Sequence, residues 1–283
     1  MARFTNYATL SYTGGSTDSN TVIGELLETL TANKTAVTDL YEQGGKVTYA
    51  VSLINTGTAP VTNVTVQDDL GGYAFGGGTV YPLRYREGTI RLFINGTLSA
   101  APTVTVGPPL VLSGITVPAG GNAVVVYEAE VTAYAPLGQE AAITNTATVT
   151  GPGITTPLTA QATVNARTRV ELRVTKGLSP TVVQENGQLT YTFTLENYGS
   201  TAAVAADQLA LTDTFTPRLR NIAVTFNTAA WAAGTNYTYN EATGIFATVA
   251  GQITVPAASY TQAADGTYTV TPGTATLTVT GTV

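Results

Sequence analysis

The chain contains no cysteine and no histidine. Without cysteine there is no disulfide, no thiolate nucleophile and no thiolate zinc site. Without histidine, Ser-His and Cys-His triads are excluded as well. Charged residues make up only 11% of the 283, and the balance is net −6. That is sparse for a cytosolic enzyme and offers no basic surface to nucleic acid or an anionic membrane. No apolar run approaches the length of a membrane span. The single methionine is Met1, and no basic start with a continuous apolar run follows it, so no secretory signal peptide is expected. The acidic stretches Thr17-Asp18-Ser19-Asn20 and Gln67-Asp68-Asp69-Leu70 lack the regular oxygen-ligand spacing of a calcium loop. No metal and no cofactor is expected.

What remains is strand material. Thr, Val, Ala and Gly dominate, and 15 Tyr stand against 7 Phe. Helix-period apolar patterns are nearly absent, while short alternating segments are common. Turn pairs such as Asn95-Gly96, Asn186-Gly187 and Asp265-Gly266 separate them. The expected class is all-β, as two tandem immunoglobulin-like sandwiches, a size the length allows.

An internal repeat organises the chain. "NKTAVTDLYEQGGKVTYAVSLINTG" aligns with "TKGLSPTVVQENGQLTYTFTLENYG". Lys34 and Tyr49 are 15 residues apart, as are Lys176 and Tyr191. Gly45, Asn55 and Gly57 match Gly187, Asn197 and Gly199, and "VTVQDDL" against "LALTDTF" sets Asp68 beside Asp213 after a three-residue insertion. Residues 117–131 match 270–283 with a small gap. In the first copy a strand with the core T-N-x-A-T follows, carrying Ile143, Asn145, Ala147 and Val149 in one phase. The second copy has no such strand before Val283, but "FTNYAT" near the start has it, with Phe4, Asn6, Ala8 and Leu10 in the same phase. The repeats are therefore expected to be cut out of phase: residues 1–25 a donor strand segment, 26–165 a first sandwich, and 166–283 a second, incomplete one.

Strand parity also places polar residues on apolar faces. Lys34 shares its face with Leu30 and Ala32, and Lys176 with Leu172, Val174 and Leu178. Asp68 shares a face with Val64, Val66 and Leu70, and Asp213 with Leu209, Leu211 and Phe215. Asn145 and Asn6 sit on the faces already described. Period-2 alternation points each group toward a core, where a lone charge is costly. A Lys, an Asp and an Asn converging on one core are the parts of an intramolecular isopeptide bond. Burial lowers a lysine pKa and raises that of an aspartate. The neutral amine then attacks the Asn carbonyl, the protonated Asp polarises that carbonyl and shuttles protons, and ammonia leaves. Lys34, Asp68 and Asn145 form one such set; Lys176, Asp213 and Asn6 form the other, with Asp68 and Asp213 in the catalytic role. A plain buried ion pair, with the Asn capping backbone groups, stays open as the structural alternative.

The same residues carry a family resemblance. A Lys in the first strand, then G-x-x-x-Y-x-x-x-x-x-N-x-G, an Asp-Leu or Asp-x-Phe strand, and N-x-A-x-V resemble the prokaryotic conserved-repeat surface domain known as domain of unknown function eleven. They are also similar to Cna-type pilin domains, and the resemblance implies spontaneous Lys–Asn cross-links. The chain departs from the pattern in one respect, since its second domain has no Asn-bearing strand of its own.

The expected function is that of a structural subunit of an extracellular filament. Identical chains would join head to tail by donor-strand complementation, with isopeptide bonds within and between subunits. The expected location is outside the cell or on a cell or spore surface, by an export route that the sequence leaves open. A monomeric surface adhesin or carbohydrate-binding module is the alternative, using the loop from Gly71 to Pro82 and aromatics near Trp231. Turnover of a diffusible substrate finds no support in the residue content.

Overall fold

The computed structural model describes residues 2–26 and 28–283, and the described residues are all-β apart from a single 3-10 turn at Ala205–Asp207. None of the described residues forms a helix long and apolar enough to cross a membrane. The chain divides into two compact units, Met1–Ala135 with Ala142–Asn165, and Pro136–Ala141 with Ala166–Val283.

In the first unit one six-stranded sheet runs Thr97–Ser99, Arg91–Ile94, Asn122–Val131, Lys46–Asn55, Leu30–Ala36, with Leu83–Tyr85 also on Asn122–Val131. A second runs Thr103–Thr105, Leu110–Val117, Val61–Asp68, Ala142–Thr150, Leu158–Ala166, Leu40–Tyr41. Alternation decides what faces the core. Val47, Tyr49, Val51 and Leu53 of one strand are buried with Ala123, Val125, Tyr127, Ala129 and Val131 of its neighbour, as period-2 geometry requires. Each fully buried Val or Leu contributes roughly 1.5–3 kcal/mol relative to exposure. Asn95 and Gly96 both take positive φ, the two-residue turn that matches strand twist.

The second unit repeats the plan in part. Leu172–Ser179, Gln188–Asn197, Gly273–Thr282, Arg220–Phe226 and Ala229–Trp231 form a five-stranded sheet. Thr212–Thr214, Ile245–Thr248 and Tyr237–Asn240 form a three-stranded one. Its core gathers Leu189, Phe193, Phe215, Phe246, Leu277 and Val279. Trp231 stacks on Phe226 at 5.0 Å and lies against this core. In the first unit, Tyr73–Phe75 and Gly78–Val80 also pair as a small hairpin.

The matched Asn residues of the repeat are clamps. Asn55 Oδ1 accepts from the Gly57 amide and the Thr29 hydroxyl, and its Nδ2 donates to the carbonyls of Ala59 and Pro118. Asn197 Oδ1 accepts from the amides of Gly199 and Glu171, and its Nδ2 donates to the carbonyls of Thr201 and Pro256. Both are buried, so truncation strands several backbone groups at once. Asn197→Ala is expected to destabilise the second unit by at least about 2 kcal/mol, read as a lower denaturant midpoint for that unit.

The N-terminal residues form a hairpin of their own. Ala2–Asn6 pairs with Val22–Leu26, and Thr9–Tyr12 with Gly15–Asp18. Among the described residues no other strand pairs with either ladder. Phe4 is 56% exposed and Leu10 66%, and Tyr7, Tyr12, Val22 and Ile23 are exposed too. Phe4 lies across Gly24, where an added Cβ would stand 2.2 Å from its ring.

Candidate functional site

In the first unit Lys34 comes from the edge strand Leu30–Ala36 of one sheet, and Asp68 and Asn145 from adjacent strands of the other. All three are buried, at 3%, 0% and 0% exposure. Lys34 Nζ donates to Asp68 Oδ2 at 2.6 Å, and the Leu70 amide donates to Asp68 Oδ1 at 3.0 Å. No hydrogen bond joins Asn145 to Asp68. Its Nδ2 donates to the hydroxyl of Tyr127 at 3.3 Å, and that hydroxyl in turn donates to Asp68 Oδ2. Asn145 Oδ1 and the Tyr49 hydroxyl are buried with no hydrogen-bond partner. Lys34 Nζ lies 4.9 Å from the centre of the Tyr49 ring, which stacks on Tyr127 at 5.7 Å.

These surroundings tilt the proton equilibria. Burial, only partly offset by the Asp68 carboxylate, holds the Lys34 ammonium below the usual lysine range. Burial first, and the Asp68 charge second, push the Tyr127 hydroxyl well above the usual tyrosine value. The same two causes in the same order raise the Tyr49 hydroxyl. The pocket thus favours a neutral amine and neutral phenols. Asp69, the other half of the acidic pair, faces elsewhere: its Oδ1 accepts from the amides of Gly71 and Thr146.

Tyr127 is the residue that the sequence reading missed. Its signal was present, because it alone carries a polar tip on the inward face of Asn122–Val131, among Ala123, Val125, Ala129 and Val131. Tyr49 belonged to the repeat pattern but had been given no part in the chemistry.

The second unit holds the same pair in a different setting. Lys176 donates to Asp213 Oδ2, with the side chains 40% and 19% exposed. The lysine lies 4.4 Å from the Tyr191 ring centre and 5.6 Å from that of Phe215. Parity predicted that Lys176 points into a core with Leu172, Val174 and Leu178, yet the whole strand Leu172–Ser179 is exposed. The reason is a missing neighbour. Asp213 pairs opposite Phe246 as Asp68 pairs opposite Leu110. The other edge of the Asp68 strand is taken by Ala142–Thr150, with Ala147 opposite Asp68. Among the described residues no strand takes that edge beside Asp213. One further substitution separates the sites: Tyr127 pairs opposite Tyr49, whereas Val279 pairs opposite Tyr191. Asn6 lies in the exposed hairpin, in the Ala2–Asn6 ladder.

No protein-family model and no curated protein matches the chain. Among solved structures it is similar to BcpA, the major pilin subunit of Bacillus cereus, at 10% identity over 96% of this chain and 73% of that one, with a TM-score of 0.37. It is similar to the pilus backbone RrgB of Streptococcus pneumoniae at 10% identity over 83% of this chain and 53% of that one, with a TM-score of 0.36. It is also similar to a family 123 glycoside hydrolase of Clostridium perfringens at 11% identity, with a TM-score of 0.33. That likeness covers 49% of this chain, which spans only 27% of the hydrolase. At these scores the likenesses carry no argument about function.

Proposed function

We propose that this protein is a structural subunit of an extracellular or spore-surface filament. Residues 1–25 of one chain complete the 166–283 domain of the next, while the 26–165 domain is complete in itself. One observation carries the reading. The second unit leaves Lys176, Asp213 and a bare strand edge open where the first unit seats an Asn-bearing strand, and among the described residues an exposed hairpin bearing Asn6 is paired with nothing but itself. A strand edge with apolar neighbours is a template for another strand, and strand addition gives affinity through the main chain and specificity through alternate side chains. By analogy with Ala147 opposite Asp68 and Val149 opposite Val66, Ala8 docks opposite Asp213 and Leu10 opposite Leu211. Asn6 then stands to Lys176 and Asp213 as Asn145 stands to Lys34 and Asp68. The contact is head to tail and self-propagating, which yields a fibre rather than a closed pair.

The donor is a hairpin rather than a lone strand. Ala142–Thr150 is itself paired with Leu158–Ala166, Asn145 opposite Ala162, and in the N-terminal hairpin Asn6 lies opposite Val22. Docking therefore adds two strands at once, the second bringing Val22 and Gly24.

In both sites the Lys amine displaces ammonia from the Asn side chain. Intact mass is the test of the internal bond. The parent chain is expected to weigh one ammonia less than its sequence, and digestion is expected to release the Lys34 and Asn145 peptides joined. A well-folded chain of full sequence mass overturns the internal cross-link. Assembled material is expected to release Lys176 joined to Asn6 as well.

The pH dependence has a definite sign. The reactive state, neutral Lys34 with protonated Asp68, holds the same single proton as the ion pair. The rate of bond formation is therefore expected to be level through neutral pH and to fall once that shared proton is lost. The fall begins below the usual lysine range, because burial lowers the Lys34 pKa. Mass spectrometry of freshly synthesised chain quenched at intervals at each pH checks this. A rate that climbs steadily through the ordinary lysine pKa removes the shared proton from the account.

A further inference from the structure

We propose that Tyr127 is a catalytic residue of the Lys34–Asn145 cross-link, delivering to the departing amide nitrogen the proton that Lys34 gives up. The inference rests on the isopeptide reading and adds a group that neither the repeat pattern nor the Lys-Asp-Asn triple contains.

The contacts form an unbroken line. Lys34 Nζ reaches Asp68 Oδ2 at 2.6 Å, the same Oδ2 is bonded to the Tyr127 hydroxyl, and that hydroxyl is 3.3 Å from Asn145 Nδ2. Asp68 has no hydrogen bond to Asn145; its second oxygen is occupied by the Leu70 amide. The carboxylate that takes the lysine proton therefore reaches the leaving group only through the phenol. The Asn145 carbonyl oxygen is left free of partners, and the amide presents its nitrogen, not its oxygen, to Tyr127.

The step balances along this line. Lys34 passes a proton from Nζ to Asp68 Oδ2, leaving a neutral amine and a neutral acid. The amine lone pair attacks Asn145 Cγ, and the C=O electron pair moves onto Oδ1. As the tetrahedral centre collapses, the Cγ–Nδ2 bond breaks. The Tyr127 hydroxyl gives its proton to Nδ2 and takes the Asp68 proton in its place. Asp68 Oδ2 then accepts the extra proton of the newly acylated lysine nitrogen, which passes by the same route to the released ammonia, and ammonium departs. Lysine ammonium plus asparagine amide give secondary amide plus ammonium, and Asp68 and Tyr127 end as they began. A phenol buried beside a carboxylate stays protonated through neutral pH, as a proton carrier must.

The second unit supplies a natural contrast. The position opposite Tyr191 is Val279, with no hydroxyl to place between Asp213 and an incoming amide. The junction bond between Lys176 and Asn6 is therefore expected to form more slowly than the internal bond once the hairpin is seated.

The experiment follows both bonds in the full-length chain, synthesised in a pulse and quenched in denaturant at intervals. Digestion and mass spectrometry then quantify the joined Lys34 and Asn145 peptides. Tyr127→Phe removes only the hydroxyl and keeps the ring stacked on Tyr49. It is expected to slow formation of the internal bond on the order of a hundredfold. Bond formation in Tyr127→Phe at the parent rate overturns the relay while leaving the cross-link intact. A parent chain that never loses ammonia overturns the cross-link itself, so the two failures are distinguishable. A second variant guards against a folding defect. Fluorotyrosine placed at position 127 keeps the size and hydrogen bonds of the phenol but makes it more acidic. Its rate is expected to shift from the parent's, whereas a Tyr127 that only fills space and holds Asp68 in place predicts an unchanged rate, and that result overturns the proposal.

Discussion

A chain lacking residues 2–26 is expected to form no fibres at any concentration, and to remain a folded monomer with the Lys176 groove open. In the parent, Phe4 and Leu10 are mostly exposed, and burying each in a neighbour's groove is worth roughly 1.5–3 kcal/mol. The bare edge beside Asp213 gains strand hydrogen bonds at the same time. Removing the hairpin removes all of these together, so the effect is all or none. Asn6→Ala separates docking from bonding, because the alternating apolar face is kept while the electrophile is lost. Its fibres are expected to appear in electron micrographs but to run as single chains after hot detergent, where the parent gives a ladder of multimers. Fibres from the truncated chain rule out donor exchange. A parent that assembles yet runs only as a single chain rules out covalent closure and leaves docking standing. A soluble adhesin predicts no concentration-dependent assembly in either protein.

The sheets were legible because alternation is a local signal. Val47 to Leu53 and Ala123 to Val131 read directly as inward faces, and Asn95-Gly96 reads as a turn. The pairs Lys34–Asp68 and Lys176–Asp213 were legible from spacing repeated in two copies. Two features were not. The place of Tyr127 between Asp68 and Asn145 depends on which residues of three strands share one level of the core, and register across sheets leaves no mark in a single sequence. The exposure of Leu172–Ser179 was also illegible from parity. Parity tells which residues share a face, but a face is buried only when another strand covers it, and in the second unit that cover is absent among the described residues. Trp231 stacks on Phe226. Its flanking residues are small alanines, so the sequence alone gave no sign of which neighbour it would meet.

Asp68→Ala is expected to be the most damaging single substitution in the first unit, and worse than Lys34→Ala. On the cross-link reading, both variants lack the bond. Lys34 and Asn145 are 145 − 34 = 111 residues apart, and a bond closing a loop of that order limits the unfolded chain by about 4–5 kcal/mol on the loop-entropy account. Both variants should therefore show the full mass of their own sequences, without the parent's one-ammonia deficit, and melt at lower temperature. The difference lies in what each leaves behind. Without Lys34, Asp68 keeps its bonds with Tyr127 and the Leu70 amide. Without Asp68, the Lys34 amine is left at 3% exposure facing the Tyr49 ring, and Tyr127 and Leu70 lose their acceptor as well. Breaking a buried pair from one side in this way costs about 3–5 kcal/mol. The double variant Lys34→Ala with Asp68→Ala removes the orphaned amine, and is expected to be more stable than Asp68→Ala alone. Thermal melts of the three variants, each with its intact mass, decide the matter. An Asp68→Ala chain that keeps the one-ammonia deficit and the parent's melting temperature removes Asp68 from both the bond and the core. A double variant less stable than Asp68→Ala contradicts the claim that an unpartnered lysine is what the single variant suffers from.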